Sequence, residues 1–368
     1  MPEISGLLRF ARGAGIAAGG IAGAIGALNA VRVTAEHKAV DRVRRQGDPY
    51  VDEPFGAQAA DRDYTVVADD GTPLYVEEVG PLAAPVVLIF AHGHANALGS
   101  FHFQRRNLAK MRSPQIRMVF FDQRSHGRSG RSDPEHSTID QLGSDLGEIV
   151  RNATDDQQVI LVGHSMGGMS IMGLADSDPQ LFGTKVLGVV LISTAAESLF
   201  GALREGLPKT VVQRAIPVLA KGAQLAPKLT EAGRRRVGNA MWLLNRKYSF
   251  GSHAAPASLT DYVNEMINHT PIGVVADFSS TFTGYDKVAA LPALRECETL
   301  VICGDEDRIA PMEHSELIHR ELPDSQLVVV PGAGHMVHLE MPDVVNMQIR
   351  RFVHRVTETR DRKSSQRA

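Results

Sequence analysis

From residue 64 onward, short uninterrupted apolar runs alternate with longer stretches whose apolar positions recur every three or four residues. VVLIFA at 86–91, VILV at 159–162 and VVLI at 189–192 contain no polar residue. Both faces of such strands must be covered, as in a parallel sheet lying between layers of helix. Eight strands are predicted: Tyr64–Ala68, Leu74–Val79, Val86–Ala91, Arg117–Phe121, Val159–Val162, Val189–Ile192, Leu300–Cys303 and Leu327–Val330. Between them, Ile139, Leu142, Leu146, Ile149 and Val150 fall on one face of a helix. The pattern predicts an α/β fold, an eight-stranded and mostly parallel sheet with helices on both faces.

The alternation breaks after the sixth strand. Residues 198–285 hold no strand-like run but much helical pattern, including Val211 to Leu225 and the stretch around Trp242. That is too long for a connecting loop, so a helical cap is expected there, inserted into a core made of 61–197 and 286–357. Residues 32–60 are polar and without periodicity, and with the apolar Gly/Ala-rich stretch before them they read as an N-terminal segment and linker, 1–60. A basic tail, 358–368, is expected to be disordered.

Composition narrows the possible partners. With 368 residues, 43% hydrophobic and 22% charged, the chain can bury a full-sized core. A formal net charge of −3 speaks against nucleic acid as a partner. The charge is uneven, though: residues 201–250 carry ten Lys/Arg against Glu205 and Glu231. Interleaved with apolar runs such as Ile216 to Leu219, these basic residues suit an anionic lipid surface, or equally a solvated helix face over a core. Gly13 to Val31 is uncharged and has Gly15, Gly19 and Gly23 in the spacing that lets membrane helices approach closely. It also resembles the apolar stretch of a secretory signal, although Arg32 sits against processing; a helix packed on the protein is the plainer reading. Membrane or envelope association through this segment and the basic cap is therefore the expected localisation, with the cytoplasm as the alternative. Cys297 and Cys303 would stand about 20 Å apart along one strand, too far for a disulfide. No Cys/His cluster has the spacing of a metal site, so no metal is expected.

The candidate chemistry centres on Gly163-His164-Ser165-Met166-Gly167, which follows a predicted strand and precedes a helical pattern. A chain turning sharply from strand to helix forces the serine into a strained conformation, and small flanking residues avoid collision. Serine is a weak nucleophile on its own, so a histidine and a carboxylate must lie elsewhere in the chain. GDEDRIAP at 304–311 supplies Asp305, Glu306 and Asp307 after the seventh strand, with Glu197 a remote substitute, and GAGH at 332–335 supplies His335 after the eighth. The glycines beside His335 let its loop deliver a side chain, whereas His338 reads as a packing residue. An oxyanion hole needs two backbone amides. Met166, after the nucleophile, and His94, in the loop after the third strand, are the candidates. Histidines 92, 94, 126 and 164 lack metal-ligand spacing and are read as loop braces or pocket lining.

Taken together, AHGH at 91–94, FDQRSHGRSGRSD at 121–133, GHSMGG at 163–168, GDEDRIAP at 304–311 and GAGHMVHLEMP at 332–342 resemble the α/β-hydrolase superfamily. The similarity is to its capped lipase and esterase branch, related to monoacylglycerol lipases and cofactor-free haloperoxidases. It implies hydrolysis of a small-molecule ester or lipid through an acyl-serine, without a cofactor, by Ser165, His335 and an acid. The family's acid stands three residues after the glycine, which selects Asp307. Ser125 departs from the pattern by occupying a usual glycine position, which leaves the shape of that loop open. Acyl transfer, perhydrolysis or C–C cleavage would use the same triad, and a ligand-binding protein without activity could share the scaffold.

Overall fold

In the computed structural model, residues 32–199, 238–252, 255–279 and 281–367 are described. Eight strands form one sheet: β1 (Arg62–Val67), β2 (Pro73–Val79), β3 (Val86–Ala91), β4 (Ile116–Phe121), β5 (Gln158–His164), β6 (Val186–Ile192), β7 (Glu298–Gly304) and β8 (Gln326–Val330). Their order is β1-β2-β4-β3-β5-β6-β7-β8. β1 and β2 pair antiparallel, β2 runs antiparallel to β4, and every later pairing is parallel.

Side-chain alternation explains why the central strands are apolar throughout. Val87, Ile89 and Ala91 of β3 join one core, with α3 (Ile139–Ala153) and α4 (Met166–Ser177) above them. Val86, Leu88 and Phe90 join the other, under α2 (His102–Leu108) and the C-terminal helix. Each face is covered by its own core, which is why these strands are almost entirely apolar. On α3 the five predicted apolar positions are all buried, and Thr138 caps the helix by accepting from the Gln141 amide at 3.1 Å.

A helical cap is inserted after β6. Its described part comprises α5 (Gly238–Ser249), α6 (Ala257–His269) and α7 (Ile272–Ser279). Phe250, Leu259, Val263 and Met266 pack on Phe103, Met336 and Leu339 of the core, while Val274 and Phe278 pack on Met166 and Met169. The cap is thus seated at the C-terminal edge of the sheet. After it come α8 (Met312–Glu321), α9 (Val337–Glu340) and α10 (Pro342–Arg367).

Two stretches differ from the sequence expectation. Within the expected linker, 32–44 is helical (α1), and Val40 is buried against Trp242 and Ala257. Further on, Asp48 accepts both the Ser258 amide and hydroxyl, at 2.8 and 2.7 Å, and Tyr50 and Phe55 pack on Phe103. The stretch has too few apolar residues to show a period, but Val40, Tyr50 and Phe55 each pack against the body of the protein, while Val33 and Val51 stay exposed. The basic tail, expected to be disordered, continues α10 as far as Arg367. Gly13 to Val31 and most of the basic cap residues lie outside the described residues. Among the described residues no helix is long and apolar enough to cross a membrane.

Candidate active site

The turn from β5 into α4 places Ser165 at φ 52° and ψ −118°, a left-handed conformation that side chains rarely adopt. Such strain costs on the order of 1–3 kcal/mol and persists only where the surroundings over-determine it. Here they do. The Ser165 amide donates to the Ile192 carbonyl at 2.9 Å, and its carbonyl accepts from Thr194 Oγ1 at 2.7 Å and from the Gly168 amide at 2.9 Å. A Cβ on Gly163 would meet the Gly167 carbonyl group at 2.6 Å, and one on Gly167 would overlap the Ala91 carbonyl. Only glycine lets β5, the turn and α4 approach so closely.

Two other strand ends converge on the serine. Asp307 follows β7 and His335 follows β8, and the loops carrying them are joined by the Glu306 amide donating to the Ala333 carbonyl at 3.0 Å. Asp307 Oδ1 accepts the Ile309 and Ala310 amides at 2.9 and 2.8 Å, which fixes the carboxylate. His335 Nδ1–H donates to Asp307 Oδ2 at 2.9 Å and Oδ1 at 3.1 Å. A carboxylate only accepts, so this contact assigns the proton to Nδ1 and leaves Nε2 as an acceptor for Ser165 Oγ–H, 3.0 Å away. All three side chains are buried. Asp305 accepts instead from the Gly332 amide at 2.6 Å, and Glu306 pairs with Arg308; neither bonds to His335. His338 is fully buried, its ring 4.3 Å from that of His164 and 5.3 Å from that of Phe101.

His92 and His126 brace the loops. His92 Nδ1–H donates to the Gly93 carbonyl at 2.8 Å while Nε2 accepts the Gln123 amide at 2.9 Å. His126 does likewise between the Arg124 carbonyl, 2.9 Å, and the Ala95 amide, 3.2 Å. With both ring nitrogens engaged by backbone, neither has a lone pair for a metal. Burial disfavours the imidazolium and holds His92 at about 4 and His126 at about 3. His94, also buried and beside His126, is held at about 3. Burial acts oppositely on Asp122, lifting its carboxyl to about 6 although it accepts the Arg128 and Leu98 amides.

Of the loop after β3, the Ala95 amide is taken by His126 and the Asn96 amide by the Gly93 carbonyl. Among the described residues no acceptor takes the His94 or Met166 amide. Ser125, at the usual glycine position, sits at φ 64°. Its hydroxyl accepts from the Ser132 amide at 3.0 Å, a local bond that offsets part of the cost of the left-handed backbone.

Ser165 and His335 open onto a cavity of about 480 Å³, also lined by Leu199, Val263, Ile267, Val275 and Phe282. Its walls are mostly apolar, with His94, Asn96 and Arg308 among the polar residues that line it. Apart from His94, sequence reasoning missed these wall residues. Most belong to the cap, and an amphipathic helix shows which face is apolar but not what that face covers. Arg308 and Glu340, both inside quoted motifs, received no role; their bonds to the cap turn at 247–251 appear only in three dimensions.

Comparison with known proteins agrees with this fold. The profile described as "Alpha/beta hydrolase family" matches residues 88–348. A proline iminopeptidase, PfmaB, from Pestalotiopsis fici is 29% identical over 288 residues, covering 76% of this chain and 96% of the relative. The sn-1-specific diacylglycerol lipase ABHD11 of Danio rerio is 24% identical, covering 69% of this chain and 74% of the relative. Among solved structures, a thermophilic esterase from Thermogutta terrifontis superposes with TM-score 0.63 at 22% identity, over 80% of this chain and 99% of its own. A bromoperoxidase from Bacillus anthracis gives 0.63 at 20% identity, over 80% and 100%. At such identities the superpositions establish a shared fold.

Proposed function

This chain belongs to the α/β hydrolase family, and we propose that it is a serine-dependent hydrolase of carboxylic esters with an apolar, lipid-like acyl group. The observation that carries the proposal is the continuous chain from Ser165 Oγ through His335 to Asp307, with contacts of 3.0 and 2.9 Å, opening onto an apolar cavity.

Ser165 Oγ attacks the ester carbonyl as its proton passes to His335 Nε2. Asp307 stays ionised and holds the resulting imidazolium in place. The Met166 and His94 amides receive the oxyanion of the tetrahedral intermediate. Collapse expels the alcohol, which takes the proton from Nε2 and leaves an acyl-serine. Water, deprotonated by the same nitrogen, then hydrolyses the acyl-serine and restores Ser165. Every step uses protein groups and water, so no cofactor is needed. The apolar walls suit an acyl chain, and the lipase activity named for the Danio rerio relative is in keeping with that. Contact with a membrane surface remains part of the proposal only through the N-terminal segment and the basic cap.

Acyl transfer to an alcohol or amine is the second reading. It shares every step up to the acyl-serine, and a Pseudomonas putida acetyltransferase component of an acetoin-cleaving system is 25% identical over 90% of this chain. Hydrolysis of p-nitrophenyl esters of increasing chain length, by wild type and Ser165→Ala, tests the first reading. Turnover that rises with chain length and vanishes in the variant supports it. No turnover of any ester by the wild type moves the assignment to transfer or to non-ester chemistry.

A further inference from the structure

His335 is bracketed by bonds to a single turn of the cap. The Met336 amide donates to the Ser249 carbonyl at 2.8 Å. On the other side, the Gly334 amide donates to Glu340 Oε2 at 2.8 Å, and the same carboxylate accepts the Gly251 amide at 3.0 and 3.2 Å. Glu340 therefore joins two backbone amides that lie 83 residues apart, one beside His335 and one at the end of the turn after α5.

The two strips of backbone also lie directly on each other. A Cβ on Gly251 would overlap the Gly332 carbonyl, and one on Gly334 would overlap the Phe250 backbone. Phe250 anchors the turn, being buried among Phe103, Leu259 and Met336. Arg308, next to Asp307, ties the acid's loop to the same turn by donating to the Lys247 and Phe250 carbonyls at 2.8 and 3.1 Å. Ser249 and its neighbour Tyr248 line the cavity too. One turn thus forms part of the cavity wall and holds both loops that meet at the imidazole.

We propose that Glu340 is a positioning residue for His335: its carboxylate pins the loop that presents the imidazole to the Ser249–Gly251 turn of the cap. Seating of the cap and placement of the imidazole are then one event, because among the described residues no other side chain accepts the Gly251 or Gly334 amide. The two imidazole nitrogens are engaged by Asp307 and Ser165, so Glu340 acts on His335 through the loop backbone. The inference rests on the catalytic reading of Ser165 and His335 above.

Glu340→Gln keeps the shape but halves the acceptor capacity against two amides, and Glu340→Asp keeps the charge but shortens the reach. On the p-nitrophenyl ester that the wild type turns over best, Glu340→Gln should lower kcat about tenfold with KM within about twofold, the signature of a misplaced catalytic group. Glu340→Asp should fall between it and wild type. Labelling of Ser165 by a fluorophosphonate should slow by the same factor as kcat. Combined with His335→Ala, Glu340→Gln should cost no more than His335→Ala alone, whereas general damage to the fold would add its own loss. A kcat within twofold of wild type in both Glu340 variants, or a fully additive double variant, overturns the inference. Hydrolysis that persists in Ser165→Ala would instead overturn the reading on which it rests.

Discussion

Asp307 holds His335 through both carboxylate oxygens, at 2.9 and 3.1 Å, while the Ile309 and Ala310 amides hold the carboxylate from behind. The carboxylate is therefore oriented whether or not the imidazole is seated against it. An Asn at this position would present either an NH₂ group or a neutral oxygen to Nδ1, and the favoured tautomer would place the proton on the wrong nitrogen. Asp307→Asn is expected to lower kcat for ester hydrolysis by roughly 10⁴-fold. Asp305→Asn retains an acceptor for the Gly332 amide and should stay within about threefold of wild type. Steady-state kinetics of the two variants separates the roles, and equal losses would mean that the loop rather than the acid was damaged.

The buried histidines make stability depend on pH with a definite sign. His92 and His126 are held at about 4 and about 3, against 6.5 for an exposed imidazole. Below 6.5 the unfolded chain takes up protons that the folded chain refuses. Their contribution is fully present above pH 6.5 and is lost as pH falls, by about 1.4 kcal/mol per pH unit for each histidine. Burial shifts His94, His164 and His338 the same way. Asp122 opposes them: its carboxyl, raised to about 6, takes a proton in the folded state first and offsets part of the loss. Urea midpoints at pH 7, 6 and 5 should fall monotonically; a flat or rising series would mean that the folded protein accepts those protons.

Close backbone packing at the serine turn leaves no room for a methyl group. Because a Cβ on Gly167 would overlap the Ala91 carbonyl, Gly167→Ala must push α4 away from β3. A loss of about 3 kcal/mol is expected, at the upper end for overpacking since backbone rather than a side chain must move. Gly284, with nothing within 4 Å of its would-be Cβ, provides the control, and Gly284→Ala should unfold within about 0.5 kcal/mol of wild type. Chemical denaturation of both variants checks the contrast.

Acyl-chain preference should follow the cavity wall. Ile267 of α6 lines the cavity and is only partly buried, so Ile267→Trp fills space without dismantling a core. We expect kcat/KM for an octanoyl or longer ester to fall at least about tenfold, a loss of roughly 1.4 kcal/mol, while the acetyl ester changes by less than about threefold. A uniform loss on both substrates would place the acyl chain elsewhere.

Much of the fold was legible along the chain. All eight predicted strands are present, and the central ones announce themselves most clearly, because a strand covered on both faces is almost entirely apolar. The face of α3 was equally legible, since a period of three to four needs no knowledge of what covers it. Less visible were α1 and the ordered stretch after it. Val40, Tyr50 and Phe55 are too sparse to form a pattern, and their burial depends on Trp242, Phe103 and Tyr262, far along the chain.

By itself, then, the sequence determined what local sterics and periodicity demand: the strands, the facing helices, and a strand-to-helix turn at Ser165 that only glycine neighbours permit. The tertiary structure decided what depends on distant segments meeting. It brings Asp307 rather than Asp305 to the imidazole, assigns the His335 proton, builds the apolar cavity from cap helices, and joins Gly251 to Gly334 through Glu340. Such contacts leave no periodic trace, because a hydrogen bond between residues 83 apart constrains each partner only at one position.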